Sequence, residues 1–147
     1  MNKKPLGALK PPRAFLLVDS QWSIVYSKMS FKFEDLKIWK ESVKFATEIY
    51  NLTKKFPKDE QFGIISQLNR AAVSISLNIA EGIGRHSDPD LTRFIQIAVG
   101  SLNEVVTILY ITLEQKYITQ TEFESFYKRC EQISKMLHAF RNYLKKP

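Results

Sequence analysis

The chain is poor in the residues that most often carry chemistry: one cysteine, two histidines and five glycines in 147 residues. The lone Cys130 excludes an internal disulfide and suits a reducing compartment, so a cytoplasmic location is expected. On its helical pattern Cys130 falls on an apolar face with no histidine nearby, which reads as a core thiol rather than a nucleophile. Neither His86 nor His138 has a Glu or Asp three residues before it, the spacing that a di-metal carboxylate bundle uses, so no metal or other cofactor is expected. Phosphate-loop, dinucleotide and zinc spacings are all missing. Long apolar runs are missing too. The run after the basic start is only Ala14 to Val18 before Asp19, too short for a secretory signal. The stretch Gln61 to Ala80 is apolar but interrupted by Arg70, amides and serines, so it does not read as a membrane span.

Lysine is absent between Lys58 and Lys116, although Lys and Arg together number 22. The formal charge is +7, but +4 of it falls in residues 1–30 and only +3 in the remaining 117. That surplus is milder than a committed DNA-binding domain carries.

Residues 1–30 hold Pro5, Gly7, Pro11 and Pro12 and then FLLVDSQWSIVY, which has no helical period. They read as a poorly ordered N-terminal extension, and Met29, which opens MSFKFEDLKIW, is an alternative native start. Residues 31–147 carry four helical patterns and read as one domain. The first runs to Pro57 with Leu36, Trp39, Val43, Ala46, Tyr50 and Thr53 as its inner face. A second helix is predicted to start around Pro57 to Glu60, to bury Ile65, Leu68, Ala72, Ile75 and Ile79, and to stop at Gly82 and Gly84. Ser87 with Asp90 opens a third as a capping box, with Leu91, Phe94, Ala98, Leu102, Val105, Leu109 and Leu113 inward. Thr119 with Glu122 repeats the device for a fourth, whose core residues are Phe123, Tyr127, Cys130, Ile133, Leu137, Phe140 and Leu144. Short loops between long helices imply an all-α, antiparallel up-down-up-down four-helix bundle.

The second helix carries Arg70, Ser74, Asn78, Glu81 and Arg85 at steps of three and four, which places them on one stripe. If it forms a hairpin with the third helix, Arg70 falls level with Glu104, and Ser74 with Gly100 and Ser101. A buried Arg70 to Glu104 pair and a close backbone approach at Gly100 are expected, which makes the stripe a structural polar seam rather than an active site. Because this helix is apolar or small on most of its circumference, a second subunit is expected to cover it and the third, giving a homo-oligomer. The loop EGIGRHS could hold a phosphate at a helix start, but its plain reading is a helix stop followed by a cap. Basic residues offer a different surface. Lys37, Lys40 and Lys44 share a face of the first helix, Lys54 and Lys55 sit at its end, and Arg129 lies on the fourth. These are candidate nucleic-acid contacts, against the plainer reading of a solvated face.

The combination FEDLKIW, then FPKDEQFGIISQLNRAAVSISLNIAEGIGR, then FIQIAVGSLNEV resembles the four-helix bundle family named after proteins encoded in intervening sequences of bacterial 23S rRNA genes. The resemblance runs from about Phe33 to Leu144, with residues 1–30 outside it. Its signature falls on Gln67, Arg70, Ala71, Ser74, Asn78, Ala80, Glu81, Gly82, Gly84 and Arg85, then Phe94, Ala98, Gly100, Ser101 and Glu104. It implies a left-handed bundle assembling as a homopentamer. It also implies kinship with the accessory variability determinants of diversity-generating retroelements, basic pentamers that associate with a reverse transcriptase and nucleic acid. The expected function is a non-enzymatic adaptor for RNA or a ribonucleoprotein, with no membrane and no small-molecule substrate. The alternative is a protein–protein interaction scaffold with no nucleic-acid role.

Overall fold

The computed structural model describes residues 31–145. The readings made for residues 1–30, including the alternative start at Met29, lie outside the described residues. Among the described residues there are four α-helices and no strands: α1 (Lys37–Thr53), α2 (Ile64–Ile83), α3 (Asp88–Glu114) and α4 (Gln120–Leu144). Short 3-10 turns at Lys32–Asp35 and Lys58–Glu60 precede α1 and α2. The four helices form a bundle around one apolar core.

The helix starts follow from local chemistry. Thr119 and Glu122 form a full capping box: the Thr119 hydroxyl accepts from the Glu122 N–H at 3.2 Å, and the Glu122 carboxylate accepts from the Thr119 N–H at 2.8 Å. At α3 the box is only half made. Ser87 accepts from the Asp90 N–H at 3.3 Å, and its hydroxyl donates to the Asp90 carboxylate at 2.8 Å, while Asp88 and Asp90 suit the positive end of the helix. The start of α2 differs from the sequence expectation. Pro57 to Glu60 make a separate 3-10 turn, and the Glu60 carboxylate accepts from the Ile64 N–H at 3.2 Å, so the α-helix begins four residues later. Glu60 also accepts from the Tyr117 hydroxyl at 3.0 Å, which ties this start to the turn between α3 and α4. That turn ends α3 with Tyr117 N–H bonded to Thr112 C=O and Lys116 N–H to Leu113 C=O, each at 2.9 Å. Lys116 sits at φ 59°, in the left-handed position that such an end requires.

The inner faces of α2, α3 and α4 are largely those the spacing predicts. Leu68, Ala72, Ile75 and Ile79 are fully buried, as are Ala98, Val105 and Leu109, and Ile133 and Leu137. Ile65 is half-buried and Tyr127 exposed. Helix α1 is turned from its expected setting. Leu36, Ala46 and Thr53 are buried as the spacing predicts and Trp39 is half-buried, but the core face also takes Ile38, Ser42, Phe45, Ile49 and Leu52, while Val43 and Tyr50 point outward. Two apolar stripes run along α1, displaced by about one residue or 100°. The stripe carrying Phe45, Ile49 and Leu52 buries more apolar area, and its one polar member donates its hydroxyl to Ile38 C=O at 2.8 Å. Gly82 is also not a stop signal. It lies inside α2, and Gly84 caps the helix in right-handed conformation. A Cβ at Gly82 would stand 2.8 Å from Leu91 Cδ1 and 2.9 Å from Phe94 Cβ, so glycine there lets α2 and α3 approach closely.

By length and composition α3 is apolar enough to cross a membrane, yet only 39% of its most apolar window is buried inside the chain. Part of that apolar surface faces outward, at Ile97, Tyr110 and Ile111.

Candidate functional site

The polar stripe of α2 meets α3 in one directed chain of hydrogen bonds. The Asn78 amide donates to Ser74 Oγ at 3.0 Å and to Ser74 C=O at 2.8 Å. Ser74 Oγ lies 2.8 Å from Ser101 Oγ, and the Ser101 hydroxyl donates to Ile97 C=O at 3.2 Å. The donors therefore run Asn78, Ser74 and Ser101, ending on the Ile97 carbonyl as acceptor, and each hydroxyl is used once as donor and once as acceptor. Nearer the loop Arg85 pairs with Glu81, and its guanidinium stands 5.1 Å from the centre of the Phe94 ring, with that of Arg93 at 5.2 Å. Arg85 is thus engaged by a carboxylate and a ring, which leaves the phosphate reading of the EGIGRHS loop without a free cation at that position.

The expected buried pair of Arg70 with Glu104 does not form within the chain. Both side chains are exposed, and the ion pairs among the described residues are Lys55 to Glu122, Arg85 to Glu81, and Arg129 to Glu41 and Glu48. Instead Arg70 and Glu104 stand on opposite walls of an open groove of about 790 Å³ between α2 and α3, which Phe62, Gly100, Thr107 and Ile111 also line. The level at which they meet is as the hairpin register predicts, but above Ser74 and Ser101 the helix surfaces leave this groove open. Gly100 gives no close approach either. Nothing lies within 4 Å of where its Cβ would be, so the residue widens the groove.

The basic residues divide into engaged and free. Arg129, which the sequence offers as a nucleic-acid contact, is held inward. Its guanidinium donates to Glu41 at 3.0 Å, Glu48 at 3.1 Å and Gln132 at 3.2 Å, bridging α4 to α1. Burial works against its charge, but the bonds to the two carboxylates outweigh it and raise its pKa. Lys55 pairs with Glu122 and Lys54 donates to Asn51 at 2.9 Å. Lys37, Lys40 and Lys44 remain, exposed along one face of α1 and in none of the ion pairs among the described residues, where Glu41 and Glu48 are taken up by Arg129. Sequence spacing does not reveal the Glu41, Glu48 and Arg129 cluster, because its partners are more than 80 positions apart. The Thr53 hydroxyl stands 3.1 Å from both the Asn69 side-chain oxygen on α2 and the Tyr50 carbonyl of its own helix, and the contact to Asn69 is hidden because it joins two different helices.

Nucleophile chemistry has little to work with. Burial pushes the Cys130 thiol up to about 12, so the thiolate is scarce at neutral pH. His138 Nδ1 lies 2.8 Å from the Ser134 carbonyl of its own helix, and Ser74 and Ser101 bond each other rather than a base.

Among curated proteins none matches the chain. A solved structure of a protein of unknown function from the S23 ribosomal protein family of Bacteroides thetaiotaomicron is similar to it, at 28% identity and a TM-score of 0.67, over 71% of this chain and 95% of that one. The pattern of the family described as 23S rRNA-intervening sequence protein matches residues 34–139, which takes in all of α1, α2 and α3, the Ser74 to Ser101 seam and most of α4. The chain belongs to the 23S rRNA-intervening sequence protein family.

Proposed function

We propose that the protein is a non-enzymatic homo-oligomeric adaptor that associates with RNA or a ribonucleoprotein, such as a reverse-transcriptase-like complex, through the basic face of α1. The single observation that carries the reading is the row Lys37, Lys40 and Lys44, exposed on one helix face and in none of the ion pairs among the described residues. Unpaired surface cations release phosphate counterions on binding without first breaking an internal salt bridge. Three lysines alone bind weakly. An oligomer repeats the row, and several weak contacts on one RNA then act together. The reading includes the pentameric assembly and left-handed up-down-up-down course that the family resemblance implies, and a cytoplasmic setting. Outward-facing Ile97, Tyr110 and Ile111 support the oligomer, since burying them between subunits removes apolar area from water.

The test is a gel-shift titration of a structured RNA across a salt series. The expected result is a shift that weakens steeply with salt and disappears when Lys37, Lys40 and Lys44 are all changed to Glu. Absence of binding at low salt ends the reading. Affinity capture with and without nuclease then distinguishes it from the protein scaffold alternative, in which the captured partner persists after nuclease.

A further inference from the structure

We propose that the outer face of α2 and α3 is the seam between copies of this chain, and that Arg70 of one copy pairs there with Glu104 of the next. The inference rests on the homo-oligomeric reading above and assigns it a surface and a charge pair. Two contacts set the register of this face: Ser74 against Ser101, and Gly82 against Leu91 and Phe94. At that register Leu77 falls level with Ile97, Arg70 with Glu104, and Phe62 with Ile111. Each of these four large apolar side chains is exposed: Phe62 by 96%, Leu77 by 61%, Ile97 by 43% and Ile111 by 41%. The face therefore has an apolar cluster toward each end and one base and one acid between them.

Charge complementarity selects the occupant. Arg70 and Glu104 face the same groove and neither uses the other. A second copy brings the reciprocal acid and base without any further partner. The lysine-free stretch from Asp59 to Gln115 fits the same conclusion, because lysine is the cation most depleted from interfaces and arginine the one enriched there. Gly100, one turn before Glu104 on α3, lines the same groove and leaves it open, giving the neighbouring side chain room to enter.

The experiment is light scattering and sedimentation of the full chain from nanomolar to micromolar concentration. Wild type, Arg70→Glu, Glu104→Arg, the double exchange Arg70→Glu with Glu104→Arg, and Gly100→Trp are compared, with circular dichroism to confirm folding. Each single reversal is expected to raise the dissociation midpoint by about thirtyfold or more, as for loss of one partner of a desolvated interfacial pair. The double exchange is expected to restore assembly. Gly100→Trp, whose Cβ has nothing within 4 Å in the isolated subunit and whose indole would occupy the open groove, is expected to stay helical but to block association. If the wild type assembles and both reversals and Gly100→Trp assemble equally well, the seam is elsewhere and only this inference falls. If the wild type is monomeric throughout, the homo-oligomeric reading falls with it.

Discussion

The hydroxyls of Ser74 and Ser101 lie 2.8 Å apart, and with the close approach at Gly82 this contact marks the register of α2 on α3. Sliding either helix by one turn would leave both hydroxyls and the Asn78 amide to find new partners in a partly buried site. The same register brings Gly82 to the backbone turn of Leu91 and Phe94 and leaves Arg70 and Glu104 facing across an open groove.

Gly82→Ala is expected to destabilise the fold. Its methyl would press on Phe94 Cβ, which is rooted in the α3 backbone and cannot swing away as Leu91 Cδ1 can. Overpacking costs about 1 to 3 kcal/mol, and the better helix propensity of alanine returns up to about 1. Urea denaturation should show a net loss of about 1 kcal/mol; an unchanged or raised midpoint would show that α2 and α3 can separate without penalty.

Lys116→Gly is expected to act in the opposite direction. Lys116 sits at φ 59°, where a Cβ crowds the following carbonyl. The left-handed conformation costs a non-glycine residue about 1 to 2 kcal/mol, and the added chain entropy of glycine takes back part of the relief. A net gain of about 0.5 to 1 kcal/mol, read as a rise of a few degrees in Tm, is the expected outcome. A drop in Tm would count against strain at this turn.

Arg129→Met keeps the aliphatic stem and removes the bridge to Glu41 and Glu48. These side chains are 22%, 30% and 32% exposed, between the surface and buried limits, so the loss should be about 1 to 2 kcal/mol. Double-mutant cycles with Glu41→Gln and Glu48→Gln should give a coupling energy for each pair. Additive effects would mean that the guanidinium contributes packing alone.

Acid sensitivity should be traceable to Glu122. Its bond to Lys55, and then its backbone bond from Thr119, hold the carboxyl below the usual carboxylate range. A folded-state pKa below the unfolded one stabilises the fold above the unfolded value, and that stabilisation is lost as pH falls through the folded value. Wild type should therefore exceed Glu122→Gln in stability at neutral pH, with the difference vanishing in acid below the usual carboxylate range. A difference that stays constant across this window would remove the titration of Glu122 as its cause.

Much of this architecture is written in short-range pattern. The Thr119 and Glu122 box, the Ser87 cap, and the inner faces of α2, α3 and α4 depend on residues three or four positions apart, which the chain specifies without reference to anything distant. Even the level of Ser74 with Ser101 follows from a tight hairpin and the rise of a helix. The rotation of α1 did not follow, because two stripes on that helix have the helical period. Which one is buried depends on how much apolar volume the other helices leave for Phe45, Ile49 and Leu52. Charge partners were decided at the same level. Arg129 looks like a free surface cation until α1 sets Glu41 and Glu48 beside it, and Arg70 looks paired until the groove separates it from Glu104. Local periodicity is a property of the sequence, whereas the rotation of a helix and the partner of a charge belong to the packed bundle, where desolvation and distance decide them.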